Sequence, residues 1–314
     1  MPRYPSAFKT PEGEAAYLAA YDRAMKSWPI PYEAIDIPTR FGTTHVVVSG
    51  PKDAPPLVLL HGYWATLTMW SPNVADFRKA YRVYAVDVMG QPGRSIPDEP
   101  IRSAADYVAW LTATLNGLRL GRVCLVGMSY GGWLALTCAV AAPERIEKLV
   151  LLSPGGILPM VRQFKLRGML MMILQRRSLV DSFMRWLTFK ESLADADTRR
   201  LGDDIVDLMY LGLKHFRIPP ETLHVVPAAT SDADLRAIQA PTLLLLGEHE
   251  VIYDPSAALA RARRLIPDFE GDLVPRSSHD MCFSQHRLVD ARVLDFLGRT
   301  RASQERAGAQ REAS

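Results

Sequence analysis

Gly127-Met128-Ser129-Tyr130-Gly131 stands between an apolar run at 123–127 and a second apolar run at 131–142. The first run has the length of a strand and the second the length of a helix, so the pentapeptide marks a sharp strand-to-helix turn. Glycines two positions before and after the serine let the strand and the helix approach each other closely, while the serine hydroxyl stands clear of the sheet. The pattern therefore predicts that Ser129 is a nucleophile.

Outward from this turn, apolar strand-like runs alternate with helical patterns. Strands are predicted at 35–37, 43–49, 57–60, 81–88, 123–127, 146–152, 242–246 and 270–274, and helices at 103–118, 131–142, 255–265 and 285–297. Runs that are apolar on both faces and separated by helices are typical of a parallel sheet covered on each side. The predicted fold class is α/β, with a mostly parallel central sheet and helices on both faces.

The chain divides into four parts by composition. Residues 1–34 predict an N-terminal helical extension, and the prolines near its end would terminate the helix. Residues 35–153 and 237–299 form the α/β core. Strand patterns disappear at 154–236, where helical patterns such as that at 160–177 predict an insertion that lies as a lid over a pocket. Residues 300–314 are polar and are expected to be disordered.

A second motif, His61-Gly62-Tyr63-Trp64, follows the predicted strand at 57–60. In this position the backbone N–H of Tyr63, together with that of Tyr130, would face a developing oxyanion. One such donor is typically worth about 3 kcal/mol of barrier. His61 itself is interpreted as a structural histidine that shapes the turn.

His279 is the predicted general base. It lies in the loop after the last predicted strand, 270–274, and the chain order serine, acid, histidine puts the base there. It would take the proton of Ser129 and later return it to the leaving group. The chain's other histidines lie in predicted strands, helices or the insertion, or in the His-Gly turn.

Two carboxylates are candidates for the acid that orients His279. Glu250 and Asp254 both lie in the loop after the strand at 242–246. Asp254 directly precedes Pro255 and a helical run, which is typical of a helix N-cap. Glu250 has no such structural explanation, so it is the preferred acid and Asp254 is the alternative.

These motifs together resemble the α/β-hydrolase fold family, over roughly residues 35–299. Stretches similar to bacterial carboxylesterase-type members lie at 69–73, 81–87 and 243–255. The resemblance implies an acid three residues after the glycine that ends the strand, which is Glu250 here in place of the more usual Asp. It also implies a helical lid at 154–236. Ser278 departs from the pattern, since a glycine is common before the histidine.

This set of residues implies a serine hydrolase that cleaves a carboxylic ester through an acyl-enzyme on Ser129. The alternatives are other reactions on the same scaffold, namely C–C bond hydrolysis, lactone hydrolysis or a biosynthetic cyclisation, or a non-catalytic small-molecule receptor. Trp64, Met169 and Met172 are candidate pocket residues, and Leu170 and Ile173 belong to the same apolar part of the insertion. A short or medium acyl chain is expected.

Composition narrows the partners and the location. A net charge of +3 on 314 residues, without long runs of like charge, does not favour nucleic acid. The uncharged stretch 123–143 approaches the length of a membrane span, but its glycines indicate a strand, a turn and a helix instead. No span, cofactor or metal is predicted, and the expected partner is a small ester. The sequence does not indicate an oligomeric state.

The cysteines are too few and too scattered for a disulfide framework. Cys124, Cys138 and Cys282 are the three in the chain, and two of them lie in strongly apolar stretches. Buried free thiols are the better interpretation, and they favour a reducing, cytoplasmic location.

Overall fold

A single sheet forms the centre of the computed structural model, which describes residues 7–299. Its nine strands within these residues are β1 (Glu33–Thr39), β2 (Gly42–Ser49), β3 (Pro56–Leu60), β4 (Arg82–Val86), β5 (Ile96–Pro97), β6 (Val123–Met128), β7 (Ile146–Leu152), β8 (Thr242–Gly247) and β9 (Phe269–Val274). They are ordered β1-β2-β4-β3-β6-β7-β8-β9, with β5 beside β2. β2 is antiparallel to its neighbours, and all pairs from β4 to β9 are parallel. The predicted mostly parallel sheet is confirmed.

Helices account for most of the remaining chain. They are α1 (Pro11–Met25), α2 (Ser71–Phe77), α3 (Ala104–Gly117), α4 (Tyr130–Ala141), α5 (Arg162–Leu174), α6 (Arg177–Leu187), α7 (Ala196–His215), α8 (Pro220–Leu223), α9 (Asp232–Arg236), α10 (Pro255–Leu265), α11 (Met281–Ser284) and α12 (His286–Gly298). Short 3₁₀ turns lie at Leu67–Trp70, Pro143–Arg145 and Lys190–Ala194. No helix between residues 7 and 299 is both long enough and apolar enough to cross a membrane.

Apolar layers cover both faces of the sheet. In β3, Val58 and Leu60 belong to one buried layer, whereas Leu57 and Leu59 belong to the other. Side chains of a strand alternate between the two faces, so a strand that is apolar at every position must be buried on both. The turn that carries Ser129 therefore rises from the middle of a doubly covered, rigid sheet.

The N-terminal helix α1 packs against the core. Tyr17 and Tyr21 are fully buried, and the Tyr21 hydroxyl donates to Asp87 Oδ2 at 2.9 Å. Asp87 lies at the end of β4 and also accepts the backbone N–H of Leu67 at 2.9 Å and of Arg94 at 2.8 Å. The loop 87–95 is thus held by one buried carboxylate, which ties α1 to the strand ends.

Five helices, α5 to α9, lie between β7 and β8. The helical pattern predicted at 160–177 is interrupted, because α5 ends before Gln175, which has a left-handed φ of 46°. α6 and α7 share an apolar cluster with Trp64 of the His-Gly turn and Met171 of α5. The insertion therefore packs on the same edge of the sheet as the Ser129 turn. The tail predicted at 300–314 lies outside the described residues, as does the start of the N-terminal extension, 1–6.

Candidate active site

Ser129 occupies the turn between β6 and α4 in a strained conformation. Its φ of 54° and ψ of −111° lie outside the regions that a non-glycine residue normally adopts. Backbone hydrogen bonds hold it there: its N–H donates to Leu152 at 2.9 Å, and its C=O accepts from Trp133 at 3.0 Å and Gly155 at 2.9 Å. The surrounding chain thus determines the position of the hydroxyl before any ligand binds.

The two glycines of the pentapeptide are required by close backbone contacts. A Cβ at Gly127 would lie 2.2 Å from the carbonyl oxygen of Gly131, and a Cβ at Gly131 would lie 2.2 Å from that of Leu60. Both distances are far below van der Waals contact with backbone atoms that cannot move aside. β3, β6 and α4 can meet at this turn only because neither residue has a side chain.

The His-Gly turn adjoins Ser129. A Cβ at Gly62 would lie 3.6 Å from Ser129 Cβ, which is ordinary contact. His61 is fully buried, its Nε2 accepts the Val88 N–H at 2.9 Å, and its Nδ1 then donates to the Gly62 carbonyl at 2.8 Å. Burial lowers its pKa. The neutral ring supports the turn, and because both of its nitrogens are already hydrogen-bonded, neither can bond Ser129.

Two backbone N–H groups near Ser129 remain open to an acceptor. Tyr130 is the first residue of α4, so its N–H has no partner within the helix. Beside Tyr63, the N–H of Gly62 donates to Met69 Sδ at 3.4 Å and that of Trp64 to Gln91 Oε1 at 3.2 Å. Among residues 7–299, neither the Tyr63 nor the Tyr130 N–H has a protein acceptor.

His279 and Glu250 form a buried pair. His279 Nδ1 lies 2.9 Å from Glu250 Oε2, and Oε1 accepts the N–H of Val251 at 2.8 Å and of Ile252 at 3.0 Å. Burial raises the pKa of Glu250, but the His279 ring, the nearby Ser153 hydroxyl and the Ile252 N–H outweigh it and lower the pKa below its usual value. The ionised carboxylate therefore fixes the ring with Nε2 available on its other side.

Asp254, the alternative acid, lies elsewhere. It is exposed, it precedes α10, and its Oδ1 accepts the Ala257 N–H at 3.0 Å. Its bonds are those of the N-cap that its sequence context indicates. The structure thus pairs Glu250, and not Asp254, with the His279 ring.

Close packing of two loops brings Glu250 to His279. A Cβ at Gly247, the last residue of β8, would lie 2.1 Å from the Ser278 carbonyl oxygen. The His249 N–H also donates to the Ser277 carbonyl at 2.9 Å. A second anchor comes from the insertion, since the His279 N–H donates to the carbonyl of Leu187, the last residue of α6, at 3.1 Å.

Ser129 and His279 line a single cavity of about 670 Å³ between the sheet edge and the helical insertion. The predicted pocket residues Trp64, Met169 and Met172 also line it, whereas Leu170, on the same helix, is exposed and does not. Methionine is common in the wall, which further includes Met69, Met128, Met160, Met171, Met184 and Met209. Flexible thioether side chains adapt to ligands of different shape.

Sequence reasoning missed the contribution of α6 and α7 to this cavity. Phe183 and Leu187 of α6 and Met209 of α7 line it. The signal was present in α6, because Val180, Phe183 and Leu187 recur at helical spacing and are buried. Sequence periodicity alone shows that these residues face a partner, but not that the partner surface includes Ser129.

Ionisable clusters and cysteines add little to the site. Among residues 7–299, no group of three or more His, Cys, Asp or Glu side chains is arranged to hold a metal ion. Cys124, Cys138 and Cys282 are all free and buried. Burial raises the pKa of the Cys124 and Cys138 thiols to about 12, which makes them poor nucleophiles.

Comparisons with known proteins agree with this architecture. Residues 57–291 match the model of the alpha/beta hydrolase family. Two curated relatives come from Bacillus subtilis (strain 168). The uncharacterized carboxylesterase nap is 35% identical in an alignment that covers 90% of this chain and 92% of nap. Carboxylesterase YbfK is 33% identical in an alignment that covers 92% of this chain and 96% of YbfK. The crystal structure of naproxen esterase (carboxylesterase NP) from Bacillus subtilis superposes with a TM-score of 0.84 at 34% identity, covering 92% of this chain and 99% of that one.

The resemblance seen in the sequence is thereby confirmed across almost the whole chain. Relatives above 30% identity that align over at least 90% of both chains share the fold and the carboxylesterase character. The chain belongs to the α/β hydrolase family and is an ester-hydrolysing enzyme of the carboxylesterase type.

Proposed function

We propose that Ser129, His279 and Glu250 are the catalytic triad of this carboxylesterase and that the N–H groups of Tyr63 and Tyr130 form its oxyanion hole. The observation that carries the proposal is the buried bond of 2.9 Å between His279 Nδ1 and Glu250 Oε2, beside a cavity that Ser129 shares. An ionised carboxylate holds the ring in the tautomer that leaves Nε2 unprotonated, which a general base requires.

The reaction proceeds through an acyl-enzyme. Ser129 Oγ attacks the ester carbonyl while His279 Nε2 takes the hydroxyl proton, and the negative oxygen is stabilised by the N–H groups of Tyr63 and Tyr130. The intermediate collapses, the C–O bond to the alcohol breaks, and His279 returns the proton to the leaving alkoxide. Water then attacks the acyl group with His279 again as base, which releases the carboxylic acid and restores Ser129.

We infer that the substrate carries an apolar acyl group of medium length or with an aromatic ring. A cavity of about 670 Å³ is in the range of sites for drug-sized ligands and is larger than a short acyl group needs. Its methionine-rich wall offers few polar partners. The name of the relative naproxen esterase indicates an aromatic acyl substrate for that protein, and this supports the same class here.

The helical insertion, 154–236, is the proposed lid of the site. Its helices α5, α6 and α7 supply most of the cavity wall opposite Ser129, including Met172, Phe183 and Met209. The core then comprises 35–153 and 237–299, and α1 is an N-terminal extension that packs on it. The buried free thiols support a cytoplasmic location for the protein. Its proposed partners are small esters and not nucleic acid.

A fluorophosphonate label followed by peptide mapping tests the nucleophile. We expect a single adduct on Ser129, lost in Ser129→Ala and kept in Ser178→Ala, which removes an exposed serine of α6. Burst kinetics with p-nitrophenyl butyrate should show an acyl-enzyme in the parent protein. Tight ligand binding without a burst would favour a receptor, and an adduct on another residue would refute the assignment of Ser129.

Substrate panels separate ester hydrolysis from the other reactions of this scaffold. Esters should be turned over far faster than lactones or vinylogous 1,5-diketones, which are substrates for C–C bond hydrolysis. The two carboxylesterase relatives, each above 30% identity, favour this outcome. Faster turnover of a diketone would move the proposal to C–C cleavage, with the same nucleophile and base.

A further inference from the structure

Helix α5 presents an apolar stripe to solvent instead of burying it. Six of the ten large apolar side chains that are exposed between residues 7 and 299 lie on α5 or just before it: Val161, Leu166, Met169, Leu170, Ile173 and Leu174. Ile173 is 69% exposed. From Leu166 onward they follow a spacing of three and four residues and so form one continuous outward face. The outward face of a helix on a water-soluble surface is normally polar, so this stripe points to a partner.

The same segment carries only positive charge. Residues 161–177 contain five basic residues and no Asp or Glu. Arg177 pairs with Asp207 at 2.7 Å, and the Arg167 guanidinium lies over the Trp186 ring. Arg162, Lys165 and Arg176 are exposed and form no ion pair with any described residue. We call the apolar stripe and these three cations the α5 surface.

The α5 surface is continuous with the mouth of the cavity. Lys165, Met169 and Ile173 are exposed to solvent and at the same time line the cavity that contains Ser129. Val226 is a second exposed apolar residue in its wall. An apolar ligand carried by a partner that covers α5 could therefore enter the cavity without passing through water.

We propose that the α5 surface docks on an anionic lipid bilayer. Exposed apolar side chains flanked by unpaired Arg and Lys are the combination that binds a helix at the headgroup boundary of negatively charged membranes. A second copy of this chain is the poorer fit, because a symmetric contact through α5 would bring like charges together without counterions. The docking rests on the proposed esterase function in one respect, since it delivers membrane-dissolved apolar esters to Ser129.

Vesicle flotation with full-length Ser129→Ala, which binds without turning over its ligand, tests the docking. We expect binding to vesicles that contain phosphatidylglycerol, weak binding to pure phosphatidylcholine, and loss of binding as salt is raised. Each cation near an anionic surface contributes about fivefold to partition. Arg162→Gln, Lys165→Gln and Arg176→Gln combined should then weaken binding roughly 100-fold.

Matched variants separate the α5 surface from charge and hydrophobicity in general. Replacing three exposed arginines elsewhere, Arg119, Arg264 and Arg287, by Gln gives the same change in net charge and should leave binding nearly unchanged. Ile173→Gln should reduce binding by about tenfold or more, whereas Leu288→Gln, which changes an exposed leucine of α12, should not. Folding of each variant is checked by its thermal transition.

Three outcomes would overturn the docking. They are absent flotation with anionic vesicles, equal loss of binding in the matched controls, and concentration-dependent dimers that Ile173→Gln abolishes. Failure of the esterase proposal gives a different result. Ser129→Ala would then hydrolyse esters as fast as the parent protein, while both proteins would still bind anionic vesicles.

Discussion

Glu250 Oε2 lies 2.9 Å from His279 Nδ1, although 29 residues separate the two in the chain. We expect Glu250→Gln to lower kcat roughly ten-thousandfold, because an amide can donate to Nδ1 and so select the wrong tautomer. Asp254→Ala is the control. It should leave kcat almost unchanged and cost about 1 kcal/mol of stability, since it removes the N-cap of α10. Steady-state kinetics and urea unfolding of both variants check this, and equal kcat losses would contradict it.

The pKa of Glu250 also predicts a pH dependence of stability. Because the folded pKa is below its usual value, the folded protein binds fewer protons there than the unfolded chain. The contribution of the carboxylate to the free energy of unfolding is complete above the unfolded pKa of about 4.3 and is lost as pH falls through the folded pKa. The difference in the free energy of unfolding between the parent and Glu250→Gln, measured by urea unfolding, should narrow as pH falls below the unfolded pKa of about 4.3. A difference that does not narrow at acid pH would argue against this pair.

Asp290 predicts the opposite trend. Burial raises its pKa to about 8, and Asn73 Nδ2 donates to its Oδ1 at 2.7 Å. The unfolded chain ionises near pH 4, so stability is complete below about pH 4 and falls as pH rises toward about 8. Asp290→Asn should flatten this slope and stabilise the protein at pH 8, since its amide can donate to Asn73 Oδ1, which has no partner among the described residues. Asp53→Asn, at an exposed turn, should keep the slope.

Gly247 allows close contact between the loop that carries Glu250 and the loop that carries His279. Gly247→Ala puts a Cβ 2.1 Å from the Ser278 carbonyl, so the loop that carries His279 must shift. We expect a loss of about 1–3 kcal/mol of stability and a much larger proportional loss of kcat. Gly202→Ala is the matched change, because its Cβ meets no atom within 4 Å and it lies in α7. It should stabilise the protein by about 1 kcal/mol and keep kcat.

The strained Ser129 predicts a trade of stability against activity. Its φ of 54° is unfavourable for any residue with a Cβ, so Ser129→Gly should relieve strain and raise the free energy of unfolding by about 1–3 kcal/mol relative to Ser129→Ala. Both variants should be inactive, because both lack the hydroxyl. Equal stability of the two, measured by thermal unfolding, would show that the turn is not strained.

Local signals predicted the sheet and the Ser129 turn. Strands such as Val123–Met128 are apolar throughout, and Gly127 and Gly131 have a fixed spacing that follows from backbone contact, so neighbouring residues suffice. The sequence distinguished only in part between Glu250 and Asp254 as the partner of His279. The N-cap role of Asp254 is readable beside Pro255, but no pattern near Glu250 shows which ring lies opposite its carboxylate.

What the sequence did not predict depends on long-range packing or on single backbone angles. The helix expected at 160–177 breaks at Gln175, whose left-handed conformation carries no sequence signature of the kind that glycine gives. Leu170 was grouped with the pocket because it shares a helix with Met172. Successive helical residues point in different directions, however, and the Leu170 side chain faces solvent and does not line the cavity. The wall from Phe183 and Met209 arises only when α6 and α7 fold over the sheet edge.

The hydrogen bond from the His279 N–H to the Leu187 carbonyl makes the end of α6 a tether for the imidazole. If His279 is the general base, as proposed, we expect the end of α6 to stay in place during turnover, because its displacement would also move the His279 ring. We expect adaptation to bulkier substrates to fall to α5, where Gly168 lines the cavity and a Cβ added to it would meet no atom within 4 Å. The proposed catalytic residues would then be held by α6, while α5 would set which substrates the cavity accepts.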